Sequence, residues 1–173
     1  MSRRAEGFFV RTAARADLEA VRALLVATWH DTYDALTGRE KVTEITNSWH
    51  SIPALAARLE RPRSEFIVAD DGKMIAGMAY AEASEDGKTL MLRQLYVLPV
   101  LQGRGIGSLL LNEIAGCYPE AQRMRLEVEE KNGRAVDFYR SHGFLDAGRA
   151  TDALGGEVLI FERAAAAWSG RWH

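Results

Sequence analysis

The sequence predicts one α+β domain built on a mixed sheet, and three observations predict it. Two hairpin turns, Asp70-Asp71-Gly72-Lys73 and Glu85-Asp86-Gly87-Lys88, separate three runs of strand character between positions 65 and 98. A glycine-rich turn, Gln102-Gly103-Arg104-Gly105-Ile106-Gly107, follows the third run and opens a helical pattern. Further on, Met124, Leu126 and Val128 alternate with charged residues, and a second helix precedes two more strands.

In chain order, residues 8–11 read as a short strand. Ala16 or Asp17 is placed to cap a helix whose apolar positions Leu18, Val21, Leu24, Leu25, Thr28 and Trp29 recur at helical spacing. Gly38 interrupts a polar region that runs to Ser51. Ile52-Pro53 opens a further helix to Leu59, closed by Pro62. Strands follow over 65–69, 74–83 and 89–98, then a helix over 106–117 that stops before Pro119. Asn132 caps a short helix over 133–141, with Gly143 at its C-cap, and strands over 145–149 and 157–161 complete the domain. The domain spans 9–163. The tail 164–173 carries Trp168 and Trp172, which suggest docking on this domain or on a second copy in a homodimer.

Composition narrows the function. At 173 residues, 47% hydrophobic and 27% charged, the chain is sized for a single core. A net charge of −2 supplies no global field for nucleic acid. Arg3-Arg4 and the Arg58, Arg61, Arg63 group read either as local basic patches or as solvated surface. Cys117 is the single cysteine, which excludes an internal disulfide and points to a reducing, cytoplasmic setting. Neither a secretory apolar segment nor a membrane-length apolar run is present. The four histidines lack metal-ligand spacing, so no metal is expected.

The glycine turn is a ready anion site. A strand running into a helix start exposes backbone N–H groups at the positive end of the helix dipole. Glycines let that backbone approach a phosphate closely. The absence of a Gly-Lys-Ser/Thr ending excludes a P-loop. A dinucleotide fold places its turn after a first parallel strand, whereas this one follows antiparallel hairpins.

On these residues the chain resembles the GNAT superfamily of acetyl-CoA-dependent N-acetyltransferases, over about residues 9–161. The turn 102–107 is similar to the family's Arg/Gln-x-x-Gly-x-Gly/Ala pyrophosphate loop. Leu95-Tyr96-Val97 resembles the strand whose backbone pairs with the pantetheine arm. The segment 132–144, Asn-Gly-Arg-Ala-Val-Asp-Phe-Tyr-Arg-Ser-His-Gly-Phe, is similar to the family's Asn-x-x-Ala-x-x-Phe-Tyr-x-x-x-Gly-Phe. The resemblance implies a three-layer α/β/α fold with about seven mostly antiparallel strands and about four helices. It implies acetyl-CoA as co-substrate, held by Leu95, Tyr96, Val97, Gln102, Gly103, Arg104, Gly105, Ile106, Gly107, Ser108, Asn132 and Tyr139.

The same resemblance places the general acid at Tyr139, and elementary chemistry agrees. A tyrosine with a pKa of about 10 keeps its proton at neutral pH and can give it to a departing thiolate. Tyr139 and Phe138 read equally as packing residues. Asn132 is a helix cap as well as a cofactor contact. Many relatives carry a glutamate on the strand before the loop; Leu90-Met91-Leu92-Arg93-Gln94 has none. Glu127 and Glu82 are the alternatives for the base, and each also reads as a solvated strand residue. Cys117 lies outside both motifs and is not expected to carry an acyl group.

Trp29-His30-Asp31-Thr32-Tyr33 resembles the Trp-x-x-Thr-Tyr signature of one broad bacterial subgroup. Trp29 and Tyr33 share a helical face and either wall an acceptor pocket or belong to the core. Glu40, Glu44 and Trp49 stand nearby in sequence with no specific signal. The expected activity is acetyl transfer to a small-molecule amine, with neither nucleic acid nor membrane as partner. A protein N-terminal α-amine and a non-catalytic acyl-CoA-binding module are the alternatives.

Overall fold

The described residues form seven strands: β1 (Phe9–Thr12), β2 (Ser64–Asp70), β3 (Ile75–Ala83), β4 (Thr89–Val97), β5 (Arg123–Glu129), β6 (Leu145–Thr151) and β7 (Glu157–Ala164). Five helices accompany them: α1 (Leu18–Thr37), α2 (Arg39–Trp49), α3 (Ile52–Leu59), α4 (Ile106–Gly116) and α5 (Gly133–Ser141). The computed structural model describes residues 7–165, so Arg3, Arg4, Trp168 and Trp172 lie outside the described residues. The strands form one mostly antiparallel sheet in the order β1-β2-β3-β4-β5-β7-β6. Two compact units divide the chain: one holds residues up to Ala81 with Gln94–Cys117, the other Glu82–Arg93 with residues from Tyr118 on.

In the first unit, β1 pairs antiparallel with β2 from Phe9↔Asp70 to Thr12↔Ile67. Asp17 takes the position expected of a cap, but its carboxylate does different work. It accepts the Ala14 amide at 2.7 Å and two Arg11 bonds at 2.8 Å, while Arg11 Nε reaches Asp70 at 3.0 Å. The Arg11 bonds hold the Asp17 carboxyl below the usual carboxylate range. Helix α1 then buries Leu18, Val21, Leu24 and Leu25 against Leu55, Phe66, Val68, Met78 and Tyr80. This is the stripe the periodicity predicted.

One helix exceeds the expected four. The polar region before Ser51 folds as α2 because Val42, Ile45 and Thr46 fall on one buried face. Its C-terminal end is closed from outside: Arg22 on α1 donates to the Thr46 carbonyl (3.0 Å), the His50 carbonyl (2.9 Å) and Asn47 Oδ1 (2.8 Å). Helix α3 opens at Ile52-Pro53 as expected, and the structure adds a cap, Ser51 Oγ accepting the Ala54 amide.

In the second unit, β5 buries Met124, Leu126 and Val128 and pairs antiparallel with β7 along its whole length. The first four residues of β4 pair with β5 in parallel, Thr89↔Arg123 to Leu92↔Leu126, and the register ends there. Residues Arg93–Val97 of β4 lie beyond it. A β-bulge interrupts the β6–β7 ladder between Asp146 and Gly148.

Candidate active site

The glycine turn folds as its composition requires. After β4 the chain makes a 3-10 turn over Pro99–Leu101, and Gln102 Nε2 donates back to the Val97 carbonyl at 3.1 Å. Gln102, the first residue of the motif, therefore ties the loop to the end of the strand. Gly103 (φ 79°) and Gly105 (φ 86°) take left-handed conformations that disfavour any side chain. Gly105 is the N-cap of α4 and has no side chain with which to cap it. A helix start capped by glycine presents its first amides to an incoming anion. Arg104 is exposed beside it, and Ile106 is buried and anchors the helix. This cradle fits a pyrophosphate.

Gly77 on β3 supports the strand that leads into the cradle. A Cβ there would meet the Tyr96 carbonyl oxygen and Leu110 Cδ1, each at 2.9 Å. The β3 and β4 backbones thus approach at Tyr96 as closely as a glycine allows. Sequence reasoning missed Gly77, because a lone glycine in a strand does not say what it faces.

The first unit also gathers aromatic residues from α1, α2 and β4. Trp29 is central: ring centroids lie 4.7 Å away at Tyr33, 6.1 Å at Trp49 and 5.4 Å at His50. Trp29, Tyr33 and Trp49 pack on one another and remain partly exposed. Burial pushes the Tyr96 hydroxyl well above the ordinary tyrosine range, and Tyr33 adds to it. The nearby Trp29 indole and the charge of Arg58 pull the other way.

His50, also missed, sits at the α2 C-cap and is 2% exposed. Arg58 donates to Gln94 Oε1 at 2.8 Å, so the Gln94 amide NH2 faces His50 Nε2 at 3.4 Å. Nε2 is then the acceptor, and the proton of the neutral ring is on Nδ1. Desolvation, reinforced by the Arg58 and Arg22 charges, pushes the imidazole down to about 4. His50 is neutral at pH 7.

In the second unit, Tyr139 stands in the last turn of α5 and is 9% exposed. Gly143 (φ 87°) ends the helix with two bonds, its own amide to Arg140 O and the Phe144 amide to Tyr139 O, each 3.1 Å. This is a Schellman closure, completed by the Tyr139–Phe144 ring contact at 5.5 Å. The predicted C-cap glycine therefore fixes the ring of the predicted acid. Asn132 Oδ1 accepts the Ala135 amide at 3.3 Å, so its capping role is realised.

The two candidate bases differ. Glu82 is paired with Arg93 across the β3–β4 hairpin at 3.1 Å. Glu127 is exposed on β5, opposite Ile160. Cys117 is exposed, with burial of its thiol and Glu65 and Glu113 raising its pKa, the reverse of what a nucleophile needs. Among the described residues no group of three His, Cys, Asp or Glu is placed to hold a metal ion. No helix there is long and apolar enough to cross a membrane.

Comparison with known proteins gives the class, an acyltransferase. The chain belongs to the acetyltransferase (GNAT) family, whose model matches residues 18–144. An uncharacterized N-acetyltransferase of Mycobacterium tuberculosis is 30% identical over 118 residues, 67% of this chain and 75% of that protein. A thialysine N-ε-acetyltransferase of Bos taurus is 34% identical over 82 residues, 44% of each. Among solved structures, the PaiA N-acetyltransferase of Thermoplasma acidophilum in complex with coenzyme A superposes with a TM-score of 0.83 at 22% identity. That match covers 91% of this chain and 98% of the other.

Proposed function

We propose that the chain transfers the acetyl group of acetyl-CoA to a primary amine of a small molecule, by direct attack in a ternary complex. The observation that carries this reading is the α4 start, capped by Gly105 in a left-handed conformation directly after β4. Acetyl-CoA supplies the activated acyl group as a thioester. The amides of Gly103, Gly105, Gly107 and Ser108 hold its pyrophosphate, with Arg104 and Ile106 flanking. The backbone of Leu95, Tyr96 and Val97, beyond the β4–β5 register, pairs with the pantetheine arm. Gln102 keeps that strand end in place, and Asn132 positions α5.

In the transfer, the amine nitrogen bonds to the thioester carbon and the C–S bond breaks. Tyr139 gives its proton to the departing sulfur. Of the two carboxylates, Glu127 suits the base better, since Glu82 is engaged by Arg93. An α-amine with a pKa near 8 also loses its proton to water without much help. Trp29 and Tyr33 wall the acceptor site. The thialysine acetyltransferase among the relatives favours a small acceptor, and the single cysteine favours a reducing compartment.

The test is thiol release from acetyl-CoA with amino acids, polyamines, aminoglycosides and short peptides as acceptors. Turnover with a small amine is the expected result. Tyr139→Phe should lower kcat by about 10²-fold, at the lower end of general-acid effects, with acetyl-CoA affinity unchanged in calorimetry. Turnover confined to peptides would move the assignment to protein α-amines. Coenzyme A binding with no acceptor at all would leave a sensor.

A further inference from the structure

A strand of an antiparallel sheet ordinarily buries at least one face. Strand β6 buries neither: apart from Ala150, each of its residues is exposed, and Leu145 is 73% exposed. It ends the strand order, so among the described residues only β7 pairs with it.

The bulge decides what this edge presents. Asp146 faces Phe161 and Arg149 faces Leu159, and Phe161 and Leu159, two apart on β7, share a face of the sheet. Asp146 and Arg149 therefore share that face as well. Residues three apart in a regular strand point to opposite faces; the extra residue at Ala147 cancels the difference. Leu145, Gly148 and Ala150, opposite Glu162, Ile160 and Val158, share the other face.

This pattern is its own complement. A two-fold axis normal to the sheet at Gly148 sets Asp146 against Arg149 of a second copy, and Arg149 against its Asp146. The same axis sets Leu145 against Ala150. At the axis Gly148 (φ 127°) has no Cβ and open space around it, so two backbones can close. We propose that two copies of this chain pair antiparallel through their β6 edges about this axis. Charges and bulges on an edge commonly keep a second strand away. Here the charges are opposite in sign and the bulge brings them onto one face, which selects a copy of the same strand. Their present partners, Arg140 for Asp146 and Glu130 and Glu157 for Arg149, are exposed ion pairs of small worth and can be shared. A seven-residue edge covers less than the roughly 800 Å² per partner of a standard interface. The dimer is therefore reversible and favoured by concentration.

Sedimentation velocity over a concentration series tests this on the full chain. Wild type should shift from monomer to dimer as concentration rises, and high salt should weaken the shift. Asp146→Arg and Arg149→Asp should each remain monomeric, while the double swap D146R/R149D should dimerise again. Circular dichroism confirms that each variant is folded, and none touches the proposed catalytic groups. A wild type monomeric throughout would overturn the proposal. So would a dimer indifferent to both single swaps, or one lost when the chain is cut before residue 166, since either puts the contact elsewhere.

Discussion

His50 is a buried imidazole flanked by two guanidinium groups and no compensating carboxylate among its recorded neighbours. Its pKa is about 4 folded, against 6.5 for an unperturbed ring. A histidine lowered in this way leaves stability untouched above pH 6.5, where both states are neutral. As pH falls from 6.5 to about 4 the unfolded chain takes up a proton that the folded one refuses, and stability drops; below about 4 the loss is complete. At 1.36 kcal/mol per pH unit the ceiling is about 3 kcal/mol. Urea midpoints followed from pH 7 to pH 4 should therefore fall more steeply in wild type than in His50→Gln, which removes the titrating ring. Parallel profiles would mean that His50 is not held neutral. Carboxylates such as Asp17, held low by Arg11, add their own loss in acid, but equally in both proteins.

Among the elements, β4 carries the backbone proposed for the pantetheine arm, and its position depends on β3. Gly77 brings the two strands so close that one methyl group has no room. The Leu110 side chain can turn aside, but the Tyr96 carbonyl belongs to the backbone that is assigned to the pantetheine arm. Gly77→Ala should therefore cost about 1–3 kcal/mol, as overpacked interiors do. It should also weaken coenzyme A binding measured by calorimetry. Gly116→Ala serves as the control, since a Cβ there meets nothing within 4 Å. Equal behaviour of the two variants would show that the strand separation is not tight. Helix α5 makes a similar point about elements: Asn132 starts it, Gly143 stops it, and the closure that stops it grips Tyr139.

For the whole molecule, binding of acetyl-CoA to the folded chain alone must raise its melting temperature. A ligand at 100 times its Kd adds about 2.7 kcal/mol, or roughly 5–10 °C for a chain of this size. Gly105→Val forces a β-branched side chain into φ 86° at the α4 cap, and should abolish that shift in a thermal melt. A full shift in the variant would remove the loop from the binding site.

How far the sequence reached depends on the range of the forces involved. Seven strands, the glycine turn, the caps at Asn132 and Gly143, and the core stripe of α1 were all legible in the sequence. Each is set by residues within a turn or two of one another. Helix α2 was not, because its buried face is only Val42, Ile45 and Thr46 in a polar segment, and the carbonyls at its end are met by Arg22, far away in sequence. The buried state of His50, the narrow gap at Gly77, the pairing of Glu82 with Arg93 and the common face of Asp146 and Arg149 were hidden for the same reason. By itself the sequence determined that this chain makes a helix start fit for a pyrophosphate, since glycine's backbone freedom is a local property. Only the tertiary structure decided which side chains around that start are engaged, buried or left exposed, because burial and pairing are relations between residues that the chain must fold to bring together.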